Sequence, residues 1–271
     1  MTSPVFDPGS LHVRLQWRGG RCVGVRVELR RPNAAAVLRG KPAAEAVRLL
    51  PLLYSICGKA QGLAAALALR AARGETAAPQ VDAAVRAEGV REHLWRLLLD
   101  WPLALGQPRA EALMAAAVRR IGAPDFAAWL APALADHCGQ LVAALPAGLG
   151  GLRSRLAEAL QARQRDLLVG AELGQGEGLP LAPGRGRATV RTARGALEHE
   201  LRLAGDDTLA DLVIRAPTDR HFADAKLLES WLAGYEAATV ADLHAAAQLV
   251  LLALDPCVPW VVAVDDDLWH R

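Results

Sequence analysis

ARGALEHELRLAGDDTLADLVI, residues 193–214, breaks the helical rhythm that dominates this chain. Leu197, His199, Leu201 and Leu203 fall on one face, and Glu198, Glu200 and Arg202 fall on the other. Strict alternation marks a half-buried strand. Gly205, Asp206 and Asp207 are turn residues, and 209–214 returns the chain. The stretch predicts a β-hairpin over 189–215.

Working outward, 34–168 predicts a helical core, with breaks at Trp101-Pro102, Gly122-Ala123-Pro124 and Pro146. Within it, 79–100 reads as one helix, and REHLWRLLL (91–99) is dense enough in apolar residues to be buried. The Gly/Pro-rich 170–188 predicts a loop; its glycines lack the Lys-Ser/Thr of a phosphate cradle. At the other end, 11–30 alternates on both sides of Gly19-Gly20, which predicts a first hairpin. Residues 224–234 and 239–254 read as helices, and 224–271 ends on Asp255-Pro256-Cys257 and an acidic tail, Asp265 to Asp267, read as solvated. The fold class expected is α+β and predominantly helical: a helix bundle with N-terminal and C-terminal β-hairpins, forming a single domain over 1–271.

Composition narrows the function. The 31 basic and 29 acidic residues nearly cancel, and no Lys/Arg cluster suggests nucleic acid. No apolar run is long enough for a membrane span, and MTSPVFDPGS lacks the pattern of a signal peptide. Four cysteines in 271 residues are too few for a disulfide scaffold, so the expectation is a cytoplasmic chain with reduced thiols. Cys22 reads as peripheral and Cys138 as core.

Cys57, in SICGKAQ (55–61), and Cys257, in LDPCVPW (254–260), stand apart because each sits at a helix boundary. Cys57 precedes a helix, whose first-turn N–H groups should lower its pKa. Cys257 follows a proline-fixed turn. Thiolates suit soft metal centres. Asp255 reads as a structural residue of that turn.

Three stretches, in order, resemble one family. VLRGKPAAEAVRLLPLLYSICGKAQ (37–61), ARGALEH (193–199) and LDPCVPW (254–260) resemble the metal-binding regions of [NiFe]-hydrogenase large subunits. The likeness covers roughly 11–70 and 190–265. The departures are specific: Ala60 and Trp260 stand where that family has its second cysteines, Ala64 and Ala263 where it has histidines, and Ala35 where it has a proton-relay glutamate. The chain is also about half the length the family implies. This combination resembles the HupK/HoxV type of hydrogenase expression/formation protein, a shortened relative of the large subunit.

That resemblance implies a non-catalytic scaffold or chaperone in hydrogenase maturation rather than an enzyme. Cys57 and Cys257 would hold an Fe(CN)2(CO) unit transiently, with no nickel. Arg194 would hold a cyanide, and His199 would orient neighbouring groups. The implied partners are maturation proteins of the Hyp type and the large-subunit precursor. A protein-only chaperone without metal cargo and a dithiol redox protein are the alternatives.

Overall fold

The computed structural model describes residues 9–265. Residues 1–8, and Asp266 and Asp267 of the acidic tail, lie outside the described residues. Among those described, the chain is α+β, with helices packed around two sheets. Among the described residues, no helix is long and apolar enough to cross a membrane.

The first sheet joins sequence-distant segments. Strands β1 (Ser10–Arg18) and β2 (Arg21–Arg30) form the expected antiparallel hairpin, turned at Gly19 and Gly20, both at positive φ. Chain order then gives helices α1 (Ala43–Leu49) and α2 (Gly58–Ala72). Strand β3 (Ala77–Val81) follows, then α3 (Ala83–Trp95), α4 (Trp101–Ala104), α5 (Glu111–Arg120), α6 (Phe126–Ala144) and α7 (Gly151–Val169). Strands β4 (Gln175–Ala182), β5 (Arg185–Thr192), β6 (Gly195–Leu203) and β7 (Leu209–Arg215) come next. Helices α8 (Pro217–His221), α9 (Lys226–Leu232) and α10 (Val240–Leu254) lead to strand β8 (Trp260–Asp265).

Strand β8 lies parallel to β1, with Leu11 opposite Trp260, so residues 257–259 are fixed at the end of the sheet where β2 also finishes. The sequence contains no turn signal for this pairing, and 224–271 was expected as helices and a motif only. A parallel partner cannot be reached by a tight turn, so its signal is not local.

The second sheet runs β3-β4-β5-β6-β7, all antiparallel. It corrects the loop expected over 170–188, most of which is β4 and the start of β5. The glycines there serve close packing. A Cβ at Gly186 would lie 2.3 Å from the backbone oxygen of Ala68 and the nitrogen of Ala72, and one at Gly178 would lie 3.0 Å from the oxygen of Leu67. The alanine-rich α2 can therefore lie directly on the sheet. The helix expected over 79–100 is also corrected. Its start is the edge strand β3, where Pro79 breaks no central ladder, and its end, Arg96–Asp100, is a π-helical turn joining α3 to α4.

Two buried clusters result. One gathers leucines of α6, α7 and α10 against Leu11, Val13 and Leu15 of β1. The other seals α1 and α2 against β5, β6 and β7. Cys57 begins a helix of the second cluster, and Cys257 follows a helix of the first.

Candidate functional site

The two cysteines line one cavity of about 350 Å3. They also line, with Arg194, Arg31, Gln61 and Thr218, a smaller pocket beside it. Both are free thiols, and both are partly buried. The structure thus brings three of the four residues singled out in the sequence, Cys57, Cys257 and Arg194, to a common lining.

Cys57 is the N-cap residue of α2. The helix was expected to lower its pKa, and the structure overturns this: burial pushes the thiol up to about 12, the nearby Cys257 raises it further, and a Gln61 hydrogen bond only partly offsets them. The first turn of the helix is also not free. Glu88 already accepts the backbone N–H groups of Lys59 at 2.8 Å and Ala60 at 3.0 Å, so the helix start is capped by a carboxylate.

Gln61, one turn along the helix, donates to the Cys57 sulfur at 3.6 Å. Its Oε1 accepts from His199 Nε2 at 2.7 Å, which makes His199 the Nε2–H tautomer. His199 is fully buried on β6, its Nδ1 has no hydrogen-bond partner among the described residues, and burial lowers its pKa to about 3. It stands behind Gln61 rather than at the cavity wall, and it positions the amide that faces the sulfur.

Cys257 is held from two sides. Its backbone N–H donates to Thr218 Oγ1 at 3.1 Å, and that hydroxyl lies 3.2 Å from the sulfur. Arg31, just past β2, reaches the same sulfur with Nη1 at 3.5 Å and pairs with Asp219 at 3.2 Å. Asp219 in turn accepts the Ala216 N–H at 2.8 Å, which fixes the start of α8.

Arg194 occupies the β5–β6 turn and is nearly inaccessible. Its Nη1 pairs with Glu92, and its Nε donates to the Asp255 carbonyl oxygen at 3.1 Å and lies 3.3 Å from Asp255 Oδ1. Asp255 is more than a turn residue. It ends α10 in a left-handed conformation (φ 53°) and is 1% exposed. Its carboxylate also pairs with Arg96 at 2.6 Å and Arg163 at 3.0 Å. Burial opposes its ionisation, but the guanidiniums of Arg163, Arg194 and Arg96 prevail and hold the carboxyl well below the usual carboxylate range. Glu92 goes the other way: burial pushes it up to about 7, against the pull of Arg194.

Positions where the resemblance expects a second cysteine or a histidine are filled by other side chains. Ala60 and Ala64 are buried in the apolar packing of α2. Trp260 lines the cavity, with its indole N–H on Gln248 Oε1 at 2.8 Å and the Arg96 guanidinium 5.8 Å from its ring. Among the described residues, no three His, Cys, Asp or Glu side chains gather as a metal-binding group.

Four contributors escaped the sequence reading: Arg31, Gln61, Thr218 and Glu92. Gln61 could have been found, since it lies four positions after Cys57 in a helical stretch and so shares its face. The other three arrive through tertiary packing and carry no local signal.

No protein-family model matches the chain. It is 29% identical to the hydrogenase expression/formation protein HupK of Azotobacter vinelandii, over 94% of this chain and 98% of that protein. The hydrogenase expression/formation protein HupV of Azotobacter chroococcum mcd 1 is 28% identical over the same shares. HoxV of Cupriavidus necator, also a hydrogenase expression/formation protein, is 45% identical over 34% of this chain and 24% of its own length. The fold is similar to that in the crystal structure of an NAD+-reducing [NiFe]-hydrogenase in the H2-reduced state. That match has a TM-score of 0.52 and 14% identity, and it covers 88% of this chain and 93% of the other. The chain is a homologue of the HupK, HoxV and HupV hydrogenase expression/formation proteins, built on a fold shared with a [NiFe]-hydrogenase.

Proposed function

We propose that this chain is a non-catalytic scaffold of [NiFe]-hydrogenase maturation, and that Cys57 and Cys257 together hold an Fe(CN)2(CO) unit as transient cargo. The observation that carries the reading is the shared cavity: two thiols 200 positions apart meet beside a buried guanidinium. Two sulfurs suffice for an iron that brings three diatomic ligands of its own, and they leave no four-thiolate nickel site. Fewer protein bonds also make release easier.

The surroundings suit such a cargo. Arg31 and Arg194 supply positive charge on two sides of the sulfurs, matching an anionic cyanide complex. Arg194 is rigidly held by Glu92 and Asp255, so little reorganisation accompanies loading. Trp260 and Val258 give the cavity an apolar wall. Loading displaces a proton from Cys57, because the thiolate is the ligand.

Cargo would arrive from maturation proteins of the Hyp type and pass to the large-subunit precursor. The test is infrared spectroscopy on protein co-produced with those partners and purified without oxygen. CO and CN stretching bands are expected, and they should disappear in Cys57→Ser and in Cys257→Ser. A protein without bands that still supports hydrogenase assembly with both serines would favour a protein-only chaperone instead.

A further inference from the structure

A second and larger cavity, about 690 Å3, opens beside the thiol cavity. The two share Tyr54, Ser55, Ile56 and Arg96, so an open surface leads to the cysteines. Its apolar part is Leu52, Ile56 and Trp95, exposed by 79%, 46% and 52%. Large apolar side chains gathered at this exposure mark a contact surface. The backbone that presents them is firmly seated. Pro51 packs so tightly on α2 that a Cβ at Gly58 would lie 2.9 Å from its oxygen, and one at Gly62 would lie 2.8 Å from its ring.

The exposed charge at this opening is predominantly positive. Of the two lining carboxylates, Glu92 is paired with Arg194, while Glu88 accepts two backbone N–H groups of α2, which leave its charge in place, and lies near Lys59 and Arg91. Arg96 and Arg194 are tied to Asp255. Lys59 and Arg91 remain as exposed cations on the rim. An occupant complementary to this face presents an apolar side chain flanked by acidic residues.

We propose that this face docks the protein that exchanges cargo with the cysteines, through a segment carrying an apolar anchor between Asp or Glu residues. The proposal rests on the reading that cargo passes between proteins. A second copy of the chain fits the face less well, because it would set Lys59 and Arg91 against the same cations.

The test is the affinity of the full-length chain for purified Hyp-type maturation proteins, measured by biolayer interferometry at two salt concentrations. Trp95→Ala, and Lys59→Glu with Arg91→Glu, are each expected to weaken binding by about tenfold or more, with circular dichroism unchanged. The charge reversal should also flatten the salt dependence. Wild-type affinity in both variants overturns the proposal, as does a homodimer in light scattering that Trp95→Ala dissociates. The cargo reading fails separately. A Cys57→Ser/Cys257→Ser variant that keeps its infrared bands refutes the thiol site, whereas the docking face is judged by binding alone.

Discussion

Arg194 and Asp255 are joined through both the backbone and the side chain of the aspartate: Nε donates to the carbonyl oxygen at 3.1 Å and lies 3.3 Å from Oδ1. One residue belongs to the β5–β6 turn and the other ends α10, two positions before Cys257. The link therefore sets the guanidinium and the second sulfur relative to each other. Arg96 and Arg163 complete the set around the same carboxylate.

Asp255→Asn removes the charge shared by these three arginines and leaves buried cations short of a partner. Breaking a buried charge pair in this way costs about 3–5 kcal/mol. Urea denaturation should show a loss of that size. Asp211→Asn, which breaks the more exposed pair with Arg39, should cost about 1 kcal/mol or less.

Gln61→Leu leaves the His199 Nε2–H buried without an acceptor, at a cost of about 1–3 kcal/mol. The double variant Gln61→Leu/His199→Leu removes both partners. Its loss should fall clearly short of the sum of the single losses, because the two residues share one hydrogen bond. Additive losses in the denaturation cycle would mean that the bond does not form.

Stability should fall on mild acidification. Burial lowers His93 and His199 to about 3, His93 with further help from Arg163. Both are neutral in the folded protein at neutral pH, while an unfolded histidine protonates near 6.5. The unfolded state therefore binds more protons as pH drops below about 6.5, and stability is lost progressively from there down to about 3. Thermal midpoints measured between pH 8 and pH 4 should decline in this window. In His199→Gln the decline should be shallower.

Gly186→Ala places a methyl group 2.3 Å from the α2 backbone, where no side chain can move aside. The substitution should destabilise the protein by several kcal/mol, on the scale of severe overpacking. Gly205→Ala, in open space on the β6–β7 turn, should be nearly neutral by the same thermal assay.

The parts of the fold written in local rhythm were legible. Alternation over 195–214 and 11–29 gives real strands, and the helix expected at 239–254 is α10 within one residue. The stretch 170–188 misled because glycine was read for its flexibility, whereas here its missing side chain admits a helix. The parallel β1–β8 pairing left no trace, since its two partners are about 250 residues apart in sequence. At the site, Cys57, Cys257 and Arg194 could be found because their motifs are local. Arg31, Thr218 and Glu92 could not, because only the folded chain brings them there. The direction of the Cys57 pKa was not legible, because it is set by burial and by the neighbouring Cys257, both products of the tertiary fold.

The central claim is that both sulfurs bind one iron. Iron K-edge X-ray absorption on the chain purified without oxygen from cells carrying the maturation proteins counts those bonds directly. Two sulfur scatterers together with three diatomic ligands are the predicted result, with the iron lost in either serine variant. An iron with no sulfur neighbour, or a sulfur count indifferent to Cys57→Ser and Cys257→Ser, would contradict it.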